Sequence, residues 1–239
     1  MEKLQQQFKT LRLLGMDRCW QSLLETRSHH ELSLSEGLEI LLQAEEGYRK
    51  NNRSERLRKT ARFRYQASAE EIIFDTSRGL NKAQISQLIT GEFIDKGEAV
   101  LITGATGCGK SFLVSALGHH ACSQGYKVAY HNLQKLLIKT KMARIDGSVY
   151  KLFEQLAKLD LLIMDDFGLA HLENQQQMDL MEIIEDRHAR KATIIASQLP
   201  VANWYEIIGE ETIADAILDR LVHTSHRIEL KGESLRKKL

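Results

Sequence analysis

The sequence contains very little proline and cysteine, with one proline and three cysteines among its 239 residues. Cys19, Cys108 and Cys122 are widely spaced and odd in number, and no pair of them has the spacing of metal ligands. Neither a disulfide framework nor a zinc site is therefore indicated, and we expect reduced thiols. The single proline, Pro200, follows a predicted strand, where the loss of a backbone donor costs little.

Long hydrophobic runs are also absent. No apolar stretch approaches the ~18 residues that a membrane helix needs, and the segment from Met1 to Gln7 lacks the hydrophobic stretch of a secretory signal. With 43% apolar and 27% charged residues, the chain can bury one full core and a smaller accessory domain. These features predict a cytoplasmic protein without a membrane anchor.

The net charge is only +1, but positive charge is concentrated in one segment. Between Arg49 and Arg64 the chain carries eight basic residues and one acid, Glu55, and the remainder is net acidic. This excess predicts contact with the backbone of a nucleic acid, although a solvated helix end is the alternative. The residues that we expect to contact DNA are Arg49, Lys50, Arg53, Arg56, Arg58, Lys59 and Arg62.

Two kinds of hydrophobic pattern divide the chain near residue 68. Apolar residues before this point recur at three-to-four spacing, which predicts a small all-α domain over residues 1–68. Residues 69–239 alternate short β-rich runs with amphipathic stretches, which predicts an α/β domain with a mainly parallel sheet covered by helices on both faces. The predicted strands are Ala99 to Thr103, Val128 to His131, Leu161 to Asp165, Thr193 to Ser197 and Arg227 to Leu230.

The segment Gly104-Ala-Thr-Gly-Cys-Gly-Lys-Ser111 matches the phosphate-binding pattern G-x-x-x-x-G-K-[ST] in full. A predicted strand precedes it and an amphipathic helix follows it, which is the context that this loop requires. Its glycines let backbone N–H groups wrap the phosphates, while Lys110 neutralises β- and γ-oxygens and Ser111 binds Mg²⁺. We therefore expect ATP and Mg²⁺ as cofactors. The predicted nucleotide contacts are Gly104, Ala105, Thr106, Gly107, Cys108, Gly109, Lys110, Ser111 and Phe112.

Polar residues follow two further strands. Asp165 and Asp166 come directly after the apolar run that begins at Leu161, and carboxylates in that place open into the ligand crevice of a parallel sheet. We predict that Asp165 holds Mg²⁺ and that Asp166 orients and polarises the attacking water. Gln198 follows another predicted strand and is a candidate contact for the γ-phosphate or the water.

The order of these elements resembles the IstB family of transposition helper ATPases, relatives of the DnaC helicase loaders within the AAA+ class. The resemblance spans most of the chain. Besides the phosphate-binding loop and the acidic pair, it is carried by Phe74-Asp75, Gly125 to Val128, Ser197 to Pro200 with Trp204, Ala216 to Leu221 with His223, and Gly232 to Arg236.

The resemblance implies a five-stranded AAA+ sheet, a helical N-terminal domain that binds DNA or a partner and self-associates, and a homo-oligomer with nucleotide at subunit interfaces. It implies that Arg220 is an arginine finger offered to the γ-phosphate of a neighbouring subunit, that Arg236 is the sensor 2 arginine, and that Gln198 occupies the sensor 1 position. The implied partners are double-stranded DNA and a cognate transposase. Most AAA+ proteins have Glu in place of Asp166, and the shorter carboxylate predicts slow basal hydrolysis that DNA or a transposase accelerates.

Three other functions share the phosphate-binding loop. A helicase loader would pair its N-terminal helices with a helicase and prefer single-stranded DNA. A small-molecule kinase would need an acceptor pocket with a catalytic carboxylate and would not need Arg220 from a neighbour. An interaction module would use the nucleotide site as a switch, with hydrolysis incidental.

Overall fold

The computed structural model describes residues 2–232 and 234, and it divides the chain into two compact units, Met1–Arg56 and Leu57–Leu239. The division lies before residue 68, where the change of sequence pattern places the boundary. The observed division precedes the predicted boundary because Ala61 and Ala67 are buried in the core of the second unit. The segment that joins the helical region to the α/β region is therefore part of the second unit, although its sequence lacks a strand pattern.

The first unit is helical, as predicted. It contains α1 (Glu2–Thr10), α2 (Leu14–Glu25) and most of α3 (Leu34–Ala61), with a 3-10 helix at Ser28–His30. The buried Glu45 of α3 accepts hydrogen bonds from the backbone N–H groups at the start of α2, at 2.7 Å from Gly15 and 3.2 Å from Met16. A carboxylate at a helix N-terminus stabilises the helix.

The second unit is built on a five-stranded sheet in the order β2-β3-β4-β1-β5, with every pair parallel. Each predicted strand is present, with its ends shifted by two residues at most. The expected α/β fold with a parallel sheet is therefore confirmed. The strands are β1 (Ala99–Gly104), β2 (Val128–Asn132), β3 (Leu161–Phe167), β4 (Ala192–Ser197) and β5 (His226–Leu230).

Helices cover both faces of this sheet, because successive residues of the central strands point to opposite sides and are mostly apolar. On β1, Val100 and Ile102 belong to one buried cluster, and Leu101 belongs to another on the opposite face. No helix in the described residues has the length and apolar character needed to cross a membrane. The helices are α4 (Lys82–Ile89), α5 (Glu92–Asp95), α6 (Lys110–Gln124), α7 (Leu133–Ile145), α8 (Val149–Ala157), α9 (Asn174–Arg187), α10 (Trp204–Ile208) and α11 (Glu211–Val222).

Candidate nucleotide-binding site

The phosphate-binding loop connects the carboxyl end of β1 to the first residue of α6, as its motif predicts. All three of its glycines, Gly104, Gly107 and Gly109, have backbone conformations that other residues rarely adopt. Gly104 has a φ of 148°, and a Cβ at this position would lie 2.3 Å from the carbonyl oxygen of Leu230. Gly109 has a φ of 101° and caps α6, so the loop N–H groups and the start of the helix face the same space.

The loop borders an open cavity of about 350 Å³. Polar groups from β3 and from the residue after β4 converge on this cavity, together with two residues that follow α3. The cavity therefore brings six of the nine predicted nucleotide contacts together with Asp166 and Gln198, whereas Gly104, Ala105 and Cys108 do not line it. Its lining residues are Arg64, Tyr65, Thr106, Gly107, Gly109, Lys110, Ser111, Phe112, Asp166 and Gln198.

Lys110 turns back onto the loop. Its ammonium group donates hydrogen bonds to the carbonyl oxygens of Gly104, at 2.6 Å, and Ala105, at 2.9 Å. The residue is 7% exposed, so the loop carbonyls replace much of the hydration that burial removes. Phosphate oxygens are stronger partners for an ammonium group than neutral carbonyls, which makes Lys110 available to an incoming triphosphate.

Cys108 is the only cysteine in the loop, and it is buried at 2% exposure. Its carbonyl oxygen accepts a hydrogen bond of 2.9 Å from Arg78. The side chain does not line the cavity. Cys108 therefore belongs to the loop framework, and its carbonyl group is engaged by a residue from outside the motif.

A bulge in β3 sets the direction of the acidic pair. The register with β4 shifts between Met164 and Phe167, and Asp166 within this interval has a left-handed φ of 60°. Such bulges re-aim side chains next to functional sites, and Asp tolerates the left-handed region better than most residues. As a result Asp165 is fully buried, whereas Asp166 faces the cavity.

The buried carboxylate of Asp165 is held by two neighbours. One oxygen accepts the backbone N–H of Asp166 at 2.8 Å, and the other accepts a short hydrogen bond from the hydroxyl of Tyr130 on β2. Burial raises the pKa of the Tyr130 phenol far above its ordinary value, and the hydrogen bond to Asp165 raises it further. Tyr130 therefore remains a protonated donor that orients Asp165.

The carboxylate of Asp166 has two partners on one oxygen. Asn132, at the end of β2, donates from its side-chain amide at 2.8 Å, and Arg64 donates from its guanidinium group at 3.1 Å. No motif of the sequence marks Tyr130, Asn132 or Arg64 as a site residue. The signal that could have found Asn132 is its place at the end of a strand adjacent to β3, since β2 pairs with β3 and brings Asn132 opposite Asp165.

Gln198 is connected to the phosphate-binding loop. Its side-chain oxygen accepts a hydrogen bond of 2.7 Å from the hydroxyl of Thr106. The neighbouring Ser197 is fully buried, and its hydroxyl donates to the carbonyl oxygen of Phe167 at 2.8 Å. Gln198 is thus the residue that β4 contributes to the cavity, and Ser197 joins the ends of β3 and β4.

Arg220 lies apart from this cavity. Its guanidinium group forms a salt bridge with Glu185 on α9, and the side chain is 25% exposed. It lines a separate small cavity with Ala99 and Thr193, which lie at or next to the amino ends of β1 and β4. The phosphate-binding loop follows the opposite, carboxyl end of β1, so Arg220 does not contact the nucleotide cavity of its own chain.

The segment after β5 returns to the phosphate-binding loop. The backbone N–H of Lys231 donates to the carbonyl oxygen of Arg78 at 2.9 Å, and a Cβ at Gly107 would lie 2.1 Å from the hydroxyl oxygen of Ser234. The predicted sensor 2 residue, Arg236, lies outside the described residues.

The donor groups at this site suit Mg²⁺. Ser111 offers a hydroxyl group at the cavity, and Asp165 offers a buried carboxylate at the carboxyl edge of the sheet. Such hard oxygen donors are those that Mg²⁺ prefers, and this ion commonly takes one or two protein ligands together with phosphate and water. The described residues contain no cluster of three or more His, Cys, Asp or Glu side chains arranged to hold a metal ion.

The predicted DNA contacts lie along α3 and just beyond its end. Six of them are exposed, and Arg58 is half-buried. Arg49 forms an ion pair of 2.7 Å with Glu45, so part of its charge is already neutralised within the helix. The exposed basic residues are Arg49, Lys50, Arg53, Arg56, Lys59 and Arg62.

The strand order, the phosphate-binding loop and the polar groups that β3 and β4 direct toward it define an ATP-binding protein of the AAA+ class. The model of the family described as IstB-like ATP binding protein matches residues 6–239. The chain therefore belongs to the IstB-like ATP-binding family, as its sequence motifs predict.

Related sequences carry names that agree with this assignment. A protein of Sinorhizobium fredii named as an insertion-sequence ATP-binding protein is 43% identical over 95% of this chain and 93% of its own length. The ATP-binding protein named for insertion sequence IS1162 of Pseudomonas fluorescens is 42% identical over 81% of this chain and 84% of its own length. The chain is thus an insertion-sequence-associated ATP-binding protein by family.

Solved structures agree on the fold. A structure of the DnaC helicase loader superposes with a TM-score of 0.59 at 19% identity, covering 70% of this chain and 98% of that one. The replication initiator DnaA bound to AMPPCP and single-stranded DNA has a TM-score of 0.59 at 19% identity, covering 74% of this chain and 56% of that one. These similarities confirm the AAA+ fold, and at such identity they carry nothing further.

Proposed function

We propose that this protein is an ATP-hydrolysing, DNA-binding AAA+ protein that assists the transposition of an insertion sequence. In this role it binds duplex target DNA in the ATP state, as a homo-oligomer in the cytoplasm, and recruits or stimulates a transposase. The proposal that the protein hydrolyses ATP rests on one observation: Asp166 and Gln198 both line the cavity of the phosphate-binding loop. The names of the insertion-sequence relatives support the transposition part.

In this mechanism Lys110 exchanges its loop carbonyl partners for β- and γ-phosphate oxygens. Ser111 and Asp165 would hold Mg²⁺, which when bound neutralises charge on the phosphates. Asp166 accepts a hydrogen bond from the attacking water and orients it, and Gln198 positions its amide next to the γ-phosphate. Asn132 and Arg64 both donate to one carboxylate oxygen of Asp166, so the attacking water would bond to the other oxygen.

Arg220 completes the site of a neighbouring subunit in this proposal. Arg220 does not line the nucleotide cavity of its own chain, and its salt bridge to Glu185 holds the guanidinium group at another surface. Both observations support a role in the site of a neighbouring subunit. A positive charge supplied only on assembly makes hydrolysis depend on oligomerisation. The partners in this proposal are further copies of the chain, duplex DNA and a transposase.

Substitution of Asp166 by asparagine is expected to leave ATP binding intact and to reduce turnover by about 100-fold, because a general base contributes on the order of 10² or more to a rate. Asparagine tolerates the left-handed backbone of this position, so the fold should be unchanged. Phosphate release and titration with a fluorescent ATP analogue measure the two quantities. The matched control is Asp146→Asn, an exposed turn residue after α7. Unchanged turnover in Asp166→Asn would remove this residue from the mechanism.

Duplex DNA is expected to promote assembly and to stimulate ATP turnover, whereas single-stranded DNA should do so weakly. Sedimentation and phosphate release, each measured with duplex, with single strands and without DNA, test this expectation. If duplex DNA neither drives assembly nor binds in an ATP-dependent way, the transposition function is wrong. A preference for single strands would instead favour a helicase loader.

The contribution of α3 to DNA binding can be measured in the same assay. The double variant Lys50→Gln/Lys59→Gln should weaken binding to all duplex sequences and reduce its salt dependence, because these exposed lysines would contact phosphates. The double variant Lys151→Gln/Lys158→Gln on and next to α8 removes the same charge elsewhere. Equal losses in the two variants would show that net charge, rather than α3, governs binding.

A further inference from the structure

Arg64 occupies a place in the nucleotide cavity that the sequence motifs do not assign. It follows the end of α3, where the left-handed φ of 58° at Arg62 turns the chain away from the helix direction. One nitrogen of its guanidinium group lies 3.1 Å from a carboxylate oxygen of Asp166 and 3.9 Å from one of Asp165. A single positive charge therefore stands beside both acids of the site.

The residues on either side of Arg64 are packed against α6. The ring of Phe63 lies 4.2 Å from that of His119, measured between centroids. Gly118 makes room for this ring, since a Cβ there would lie 2.4 Å from a carbon of Phe63. On the other side, the carbonyl oxygen of Tyr65 lies 3.1 Å from a ring nitrogen of His119. The helix that begins in the phosphate-binding loop thus fixes the backbone on both sides of Arg64.

The position of Arg64 has an electrostatic reason. Adjacent carboxylates repel each other, and a nearby cation relieves the repulsion. In this structure the guanidinium group of Arg64 supplies that cation. A magnesium ion held by Asp165 would bring two positive charges to the same carboxylates, so Arg64 and the ion oppose each other there.

The contact with Asp166 also affects the water. The oxygen of Asp166 that accepts from Arg64 accepts from Asn132 as well. A carboxylate oxygen engaged by two donors, one of them charged, is a weak acceptor for a further water molecule. The other oxygen of Asp166 can still accept from a water, but the nearby guanidinium charge makes it a weaker acceptor, so the pairing with Arg64 weakens the orientation of a nucleophile.

We propose that Arg64 is an inhibitory positioning residue that pairs with Asp165 and Asp166, opposes the binding of Mg²⁺ there and weakens the hydrogen bond from the attacking water to Asp166. This proposal rests on the function proposed above, which assigns Asp165 to Mg²⁺ and Asp166 to the attacking water. A ligand that displaced Phe63 and Tyr65 from α6 would also release Arg64 from the two acids. The pairing is a second reason, beside the short side chain of Asp166, to expect slow basal hydrolysis, and it needs no change in the phosphate-binding loop.

The test measures the Mg²⁺ requirement for binding a fluorescent ATP analogue, a readout that does not depend on turnover. In Arg64→Gln the Mg²⁺ concentration at half-saturation is expected to fall about fivefold. The effect is modest because the ion pair that is lost is half-exposed and screened by water. Arg64→Ala should do the same without leaving an amide to rebuild the hydrogen bond, whereas Arg64→Lys keeps the charge and should stay near the wild-type value. Basal phosphate release should rise in the first two variants, while the DNA-stimulated rate stays near that of the wild type.

The matched control is Lys158→Gln, which removes one positive charge from an exposed residue at the end of α8. An unchanged or higher Mg²⁺ requirement in both Arg64→Gln and Arg64→Ala overturns the proposal. Weaker ATP binding together with lower turnover also overturns it, because Arg64 would then be a phosphate ligand. If the wild type itself binds ATP without any dependence on Mg²⁺, the magnesium site of the proposed function is wrong, and the proposed role of Arg64 is wrong as well.

Discussion

Substitution of Lys110 by alanine is expected to weaken ATP binding by at least about 100-fold, which corresponds to about 3 kcal/mol. The magnitude follows from the loss of two charge-assisted hydrogen bonds to phosphate oxygens. In the free protein the same ammonium group bonds to the carbonyl oxygens of Gly104 and Ala105. Titration with a fluorescent ATP analogue measures the loss of affinity.

The same substitution should lower the free energy of unfolding by only about 1 kcal/mol, because water can reach the two released carbonyl groups through the open cavity. Thermal unfolding without nucleotide therefore separates loss of binding from loss of fold. Lys127→Ala, an exposed lysine directly before β2, is the matched control. ATP affinity within a factor of about two of the wild type in Lys110→Ala would contradict the nucleotide site.

Substitution of Arg220 by alanine is expected to reduce turnover by about 1000-fold while leaving ATP affinity nearly unchanged, because an arginine finger acts on the transition state. A mixture of Arg220→Ala and Asp166→Asn subunits should regain activity. Sites in the first variant keep Asp166, and the second variant supplies Arg220 to them from a neighbour. With random mixing in equal amounts, about one quarter of the interfaces combine both intact residues.

The mixing experiment needs a measure of co-assembly, which sedimentation of differently labelled subunits provides. Asp166→Asn is the better donor of Arg220 than Lys110→Ala, because it should still bind ATP and assemble. Co-assembly without recovery of turnover would place Arg220 outside the site of the neighbour. A kinase with one complete site in each chain would also show no recovery.

Much of the fold was predictable because its signals are local. The β-rich runs, such as Leu161 to Met164, are apolar at successive positions because both faces of the sheet are covered. The phosphate-binding loop is specified by glycines whose backbone freedom no other residue provides. The boundary between the two units was harder to predict from the sequence. The residues from Leu57 to Ala67 carry no strand pattern, and they join the core of the second unit through tertiary packing.

The partners of the acidic pair were not predictable, since they are distant along the chain. Arg64 is 102 residues from Asp166, and Asn132 is 34 residues from it. Both contacts require the sheet to be assembled, with β2 beside β3 and with the segment after α3 packed on α6. The bulge that gives Asp166 its left-handed φ also depends on the pairing of β3 with β4.

The sequence by itself determined that this protein binds ATP, because the residues that surround the phosphates are consecutive and their conformations follow from their own chemistry. It also determined the order of strands and helices, since the periodicity of apolar residues reflects which faces are buried. Only the tertiary structure decided that Asp166 is turned toward the cavity and paired with Arg64, while Arg220 is held at a different surface. These arrangements depend on contacts between residues far apart in the chain, and no local pattern specifies them.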